Sequence, residues 1–370
     1  MKILVLNCGS SSIKADVIDT EIKVPMVSLK VSRLNDDDEM CIVEISKWDE
    51  PKEVETDAHA RALEWALPKL LDQLPDNIEI EGVGHRVVHG GETFSRPTRI
   101  TDEVEAKIEE LFGLAPLHNP ANLAGIKGAR KLLPDVPHVA VFDTGFHSTL
   151  PSRAKAYAIP QDIAKEHSIR RFGFHGISHD YVASLAADYL ETDIRDLRII
   201  TCHLGNGCSL AAVEYGSSME TSMGMTPLEG LVMGTRSGDI DPGAIIHLLR
   251  QDGWDVDRVD DMLNRDSGLD GLSGISNDLR DIQSAAAEGD EGARQAIQVF
   301  SHRAKKYVGA YAAAMGGVDA IVFTAGIGQN SALMRHRIGQ RLEFLGARLD
   351  EDENRNASVD HENPVAEIST

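Results

Sequence analysis

Two strand–turn–strand units of one design constrain this chain more than any other feature. At the N-terminus the apolar run Ile3-Leu-Val-Leu6 predicts a buried strand, Asn7-Cys-Gly-Ser-Ser-Ser12 a tight turn, and Ile13-Lys-Ala-Asp-Val-Ile18 a half-buried second strand. Near the middle, Ile199-Ile-Thr-Cys-His203, Leu204-Gly-Asn-Gly-Cys-Ser209 and Leu210-Ala-Ala-Val-Glu214 repeat that order. Asn7 then falls on His203, Gly9 on Gly205, Ser10 on Asn206 and Val17 on Val213. Glycine turns between strands also match this well by chance. The reading adopted is two related α/β domains, each opening with a phosphate-facing hairpin. A P-loop does not fit, because Lys14 sits in an extended segment rather than in a Gly-Lys-Ser/Thr entry to a helix.

What lies between the hairpins supports that fold class. Helices are expected over about 56–74, 102–112 and 121–133, with strands at Val83–Val88 and Val139–Phe142. The second half offers helices over Asp180–Leu190, from Pro242, and over about 288–315, then a strand at Ala320–Thr324 and the turn Ala325-Gly-Ile-Gly-Gln-Asn-Ser331 opening a capped helix. Strands alternating with helices imply α/β layers whose strand ends carry sites. A length of 370 residues exceeds a single core, so the expected domains are 1–145 and 146–370.

Charge narrows the partners. A formal net charge of −22 argues against nucleic acid and anionic membranes as general partners, so an anionic substrate needs local cations such as Arg86 and Arg236. The acidic run Asp36-Asp37-Asp38-Glu39 reads as solvated surface. The four cysteines form no Cys-x-x-Cys pair, and no run of about 18 apolar residues occurs; a cytoplasmic protein with reduced thiols is expected.

Several runs are suited to anions. Glu220 to Pro242 is rich in Gly, Ser and Thr around one permanent charge, Arg236, and reads as a site-building rather than a core-building stretch. In isolation it equally fits an ordinary surface loop. Arg86, beside Val88 at a strand end, suits a small carboxylate with an alkyl tail, or a surface ion pair. Asp143 follows an apolar strand and either orients an arginine, holds Mg²⁺ or caps a turn. His175 is expected in a loop, because Gly173 and Gly176 argue against a helix; it is a phosphoryl donor or a structural histidine. No catalytic triad is present, and these groups together point to phosphoryl transfer by positioning and electrostatics.

Seven runs in order resemble those of the acetokinase family: Asn7–Lys14, His85–Gly91, Phe142–His147, Arg171–His179, His203–Gly207, Thr221–Pro242 and Gly326–Ser331. The resemblance implies duplicated ribonuclease-H-like domains of the sugar kinase, Hsp70 and actin type with an interdomain active-site cleft, the second domain binding nucleotide. It implies reversible, Mg²⁺- or Mn²⁺-dependent transfer from ATP to acetate, giving acetyl phosphate and ADP by direct in-line transfer. Arg86, Arg236, His175 and Asp143 are implied as catalytic. Asn7, Ser10, Ser12 and Lys14, with His203, Asn206 and Gly207, would face the phosphates, Asn7 also serving the metal. Asp278, Arg280, Gly326 and Asn330 would hold the adenosine side; Val88, Leu117, Phe174 and Pro227 would form the alkyl pocket beside Arg86. A homodimer is implied.

The chain departs from the family pattern at Gln329, Glu220 and Gly145, where glutamate, aspartate and alanine are usual. Members also continue beyond the strand matching Val365–Ile368 into an acidic segment with a metal-binding glutamate and a last helix, whereas this sequence ends at Thr370. Propionate kinase activity, or a shortened nucleotide-binding member with impaired catalysis, are the alternatives.

Overall fold

Along Ile13–Asp19 the residues Ile13, Ala15 and Val17 are fully buried while the positions between them are not, the period-two pattern of a strand with one face on a core. The computed structural model describes residues 1–9, 11–34, 40–56, 58–251, 253–360 and 363–370. Ser10 and the acidic run 36–39 lie outside the described residues. The described chain divides into two units, Met1–Gly145 and Phe146–Thr370.

In the first unit β1 (Lys2–Cys8), β2 (Ile13–Asp19), β3 (Pro25–Ser32), β4 (Met40–Ile45), β5 (Lys52–Glu55), β6 (Gly82–Val87), β7 (Thr98–Arg99) and β8 (His138–Phe142) form one sheet. Their order is β5-β4-β3-β2-β1-β6-β8-β7. β1 pairs antiparallel with β2 and parallel with β6, and β6 pairs parallel with β8. Helices His59–Leu71 and Asn119–Leu132 cover the sheet, Leu63, Leu67 and Leu70 packing with Leu4, Leu6 and Val17. A second cluster joins Val87 and Phe142 to Ile126.

The second unit repeats the opening on a smaller scale. β9 (Arg198–Leu204), β10 (Cys208–Glu214), β11 (Ser217–Thr221) and β12 (Ala320–Thr324) lie in the order β11-β10-β9-β12. β9 pairs antiparallel with β10 and parallel with β12, as β1 does with β2 and β6. Asn7 and His203 each stand one residue before the end of the first hairpin strand, so the two positions aligned in the sequence are topologically equivalent. The helix Gly176–Tyr189 packs Ala183, Ala186 and Ala187 on Ile199 and Val213.

The structure adds elements beyond those expected and corrects one expectation. β3, β4 and β5 extend the first sheet where no strands were assigned. The long helix expected over about 288–315 is present as Glu291–Met315, and a further helix, Leu279–Glu288, precedes it. The Thr221–Pro242 run does help build a core: Met223, Leu231, Val232 and Met233 are all at most 2% exposed, because its apolar residues turn inward while its small ones bend the chain.

Candidate functional site

Parallel pairing of β6 and β8 sets Val87 against Phe142, which carries the next residue, Asp143, alongside Arg86. The Asp143 amide donates to the Val87 carbonyl at 3.0 Å, fixing the strand exit. Arg86 Nε donates to both carboxylate oxygens of Asp143, at 3.0 and 3.1 Å, and Nη2 to Oδ2 at 2.5 Å. Arg86 Nη1 reaches the Asn7 amide oxygen at 3.3 Å, from the end of β1. Asp143 is buried and Arg86 about one-third exposed. The Asp143 charge raises the Arg86 pKa further, against the opposing effect of burial. The result is a cation held by its inner edge.

Two buried amides hold these strand ends and were not singled out from the sequence. Asn122 accepts from the Val88 amide at 2.9 Å and donates to the Cys8 carbonyl at 2.6 Å, tying the end of β1 to that of β6. Asn119 accepts from the His89 amide at 3.1 Å and donates to the His89 carbonyl at 3.0 Å. Both lie in the first turn of the helix Asn119–Leu132, next to the singled-out Leu117; Pro120 was the available signal for a helix start. Val88 is buried and Leu117 is 48% exposed. Ser12 accepts the turn bond from the Gly9 amide at 2.8 Å through its carbonyl, and Lys14 points to solvent from β2, opposite Asn7.

The second unit gathers a separate set of groups on the β9–β10 turn. His175 lies at φ +57°, capping the helix Gly176–Tyr189, and its ring stacks on that of His203 at 4.1 Å. His203 Nδ1 meets the Ser178 hydroxyl at 2.8 Å. A side chain at Gly207 would meet the His175 ring at 3.4 Å and Arg236 Nη1 at 3.9 Å, so imidazole and guanidinium converge over a bare stretch of backbone. Arg236 also reaches the Pro227 carbonyl at 3.4 Å; burial lowers its pKa, leaving it cationic. Asn206 is exposed, its carbonyl accepting from the Gly234 amide at 2.9 Å; a Cβ on Gly234 would collide with the Asn206 amide oxygen. Phe174 is fully buried and Pro227 half-buried.

Not every singled-out residue joins these groups. Asp278 caps the helix Leu279–Glu288 and is gripped by Arg280, Nη2 to Oδ2 at 2.5 Å, with Arg280 89% exposed. Gly326 and Asn330 are exposed and bonded to each other at 2.9 Å across the six-residue helix Ala325–Asn330. The turn expected to precede a capped helix is thus itself helical, and the cap, Ser331, belongs to the next helix, Ala332–Gly339.

The model of the family described as "Acetokinase family" matches residues 2–369. The chain belongs to the acetokinase family. A curated acetate kinase of Halothermothrix orenii is 51% identical over 362 residues, which are 96% of this chain and 91% of that protein. The crystal structure of Porphyromonas gingivalis acetate kinase is 43% identical with a TM-score of 0.92, covering 100% of this chain and 93% of that one. A propionate kinase structure from Francisella tularensis is 40% identical with a TM-score of 0.89 over the same shares. The α/β architecture with duplicated units is that of an acetokinase. The departure at Gly145 has a local reason here: a Cβ there would lie 3.1 Å from the Phe142 carbonyl and 3.3 Å from that of Ser95, tight for an alanine.

Proposed function

We propose that this acetokinase-family chain transfers the γ-phosphoryl group of ATP to the carboxylate of acetate, reversibly and in line, giving acetyl phosphate and ADP. The observation that carries the reading is the convergence of His175 and Arg236 over Gly207: a hydrogen-bonding imidazole and a permanent cation at a glycine turn suit the charge spread over a phosphoryl group in flight.

The first unit supplies the acid's anchor. Arg86 keeps its Nη1 edge toward Asn7 while Asp143 holds the other side, so the guanidinium is oriented before an acid binds. Val88, Leu117, Phe174 and Pro227 are the proposed contacts of the short alkyl group. Asn7, Ser10, Ser12, Lys14, His203, Asn206 and Gly207 are proposed for the phosphates; Asp278, Arg280, Gly326 and Asn330 for the adenosine, which requires Arg280 to leave Asp278. One methylene is worth about 1–3 kcal/mol, so propionate is turned over less efficiently than acetate.

A divalent cation, Mg²⁺ or Mn²⁺, accompanies ATP. The Asn7 amide oxygen and the Asp143 carboxylate, which share the Arg86 guanidinium, are hard oxygen donors of the kind Mg²⁺ takes. Among the described residues no three His, Cys, Asp or Glu side chains gather as a cage, and Mg²⁺ needs none when phosphates and water complete its shell. Bound there, the ion supplies neutralisation of phosphate charge.

Among the described residues no helix is long and apolar enough to cross a membrane. A cytoplasmic location fits four buried, unpaired cysteines, burial holding Cys8 and Cys208 up at about 12. A homodimer fits the helix Pro242–Gln251, which buries none of its residues although it carries Ile245, Ile246, Leu248 and Leu249.

Hydroxylamine trapping with ATP, Mg²⁺ and each of acetate, propionate and butyrate tests the reading. Acyl hydroxamate is expected with acetate and, more weakly, propionate; no product with any acid sinks it.

A further inference from the structure

A chain of side-chain hydrogen bonds leads from His175 into the interior of the second unit. His175 Nδ1 meets Ser209 Oγ at 2.8 Å, Ser209 Oγ meets His179 Nε2 at 2.8 Å, and His179 Nδ1 meets Thr201 Oγ1 at 2.7 Å. Thr201 Oγ1 ends the chain on the Ala211 carbonyl at 3.4 Å. His179, Thr201 and Ser209 are all fully buried.

The inner end fixes the direction of every bond. A carbonyl only accepts, so Thr201 spends its one hydroxyl proton on Ala211 and must accept from His179 Nδ1–H. Burial, reinforced by His147 and His203, holds the His179 pKa well below its ordinary value, so its ring is neutral and its second nitrogen accepts from the Ser209 hydroxyl. Ser209 has then no proton left for His175, and His175 Nδ1 donates to Ser209.

We propose that Thr201, His179 and Ser209 are positioning residues that hold a proton on Nδ1 of His175, so that His175 donates from Nε2 to a phosphoryl oxygen only as the imidazolium. This rests on the phosphoryl-binding role proposed above for His175. Among the groups facing that ring are the His203 ring, the Arg236 guanidinium over Gly207, Ser209 and, behind it, His179; the backbone of His175 stands at the N-cap, the positive end of the helix Gly176–Tyr189, without a capping bond from its ring. The Arg236 charge and that positive helix end disfavour a second positive charge until an anion arrives. Nucleotide binding is therefore coupled to uptake of one proton from solvent onto Nε2, with no bond from histidine to phosphorus formed or broken.

The test is a two-bond ¹H–¹⁵N spectrum of the full chain labelled at histidine, with His175→Gln identifying the resonance. Without nucleotide near pH 8, the proton is expected on Nδ1; with Mg²⁺ and a non-hydrolysable ATP analogue, both nitrogens are expected to carry one. Ser209→Ala and, in case that variant fails to fold, Thr201→Val should each release His175 into a mixture of tautomers and move the basic limb of the kcat–pH profile, with KM for ATP within about threefold of wild type. A proton on Nε2 in the nucleotide-free protein, or unchanged tautomers in both variants, overturns the proposal. Absence of acyl phosphate from the wild type would instead remove the proposed function and leave the tautomer result standing.

Discussion

Arg86 and Asp143 face each other across the ends of two neighbouring parallel strands, with Nε and Nη2 of the guanidinium gripping both carboxylate oxygens. The carboxylate is buried and the guanidinium is partly exposed, so the pair is lopsided: both Asp143 oxygens accept from Arg86, while Arg86 keeps an outward edge. Such a carboxylate orients its partner rather than acting on a substrate.

Asp143→Asn tests this orientation, because the amide keeps the shape and loses the charge. Arg86 then wanders by an ångström or so, and kcat/KM for acetate is expected to fall about 10²-fold. Arg86→Lys should be as damaging, since an ammonium cannot grip two oxygens in a fixed plane. Steady-state kinetics on both variants checks this; wild-type kcat/KM in either would show that other contacts set the geometry.

Arg236→Ala removes a cation that the phosphoryl group needs most in flight. We expect kcat to drop about 10³-fold or more, and the nucleotide Kd, measured by calorimetry, to change by less than about threefold. Weak nucleotide binding with normal turnover would refute the assigned role.

How far the sequence disclosed this site depended on the range of the interaction. The hairpins were legible because Ile13, Ala15 and Val17 alternate within one strand, and Arg236 stood out as the charge in a glycine-rich run. His85 bonding to His138 at 2.9 Å, or Asn122 spanning from Cys8 to Val88, join residues far apart in the chain, and no local pattern encodes such a meeting. Asp278 and Arg280 are the opposite case: two residues apart, they bond to each other, a pairing that composition cannot reveal. Met223 and Met233 read as part of an anion loop because a site run and a core run interleave there.

Gly234→Ala probes the nucleotide side. The added Cβ overlaps the Asn206 amide oxygen and must turn that side chain out of its place on the β9–β10 turn. The KM for ATP is expected to rise about tenfold or more while that for acetate moves little. Equal rises in both would show that the turn does not serve the nucleotide alone.

The uncovered helix Pro242–Gln251 makes a prediction about assembly. Ile246 and Leu249 are 47% and 36% exposed, and replacing both by glutamate should convert a dimer to a monomer in light scattering behind size exclusion. A wild type that is monomeric at micromolar concentration would remove this surface as an interface.

Acid should destabilise the first unit through its buried histidines. Burial, the largest cause, with His138 and Arg130 adding, pushes His85 down to about 3; burial likewise lowers His138, against the opposing Leu133 carbonyl. In the unfolded chain both titrate near 6.5. Between those values the unfolded state binds a proton at His85 that the folded state refuses, so stability is full above about pH 6.5 and falls as pH drops toward 3. Once the unfolded group is protonated, the slope per group is about 1.4 kcal/mol per pH unit. Urea unfolding followed by Trp48 and Trp65, which pack edge to face at 6.3 Å in this unit, reports it. His85→Gln should be less stable at neutral pH yet lose stability more slowly on acidification, by up to about 1.4 kcal/mol per pH unit around pH 5. Parallel curves for wild type and variant would mean that His85 takes its proton while folded, and that the His85–His138 pair opens to water before the unit unfolds.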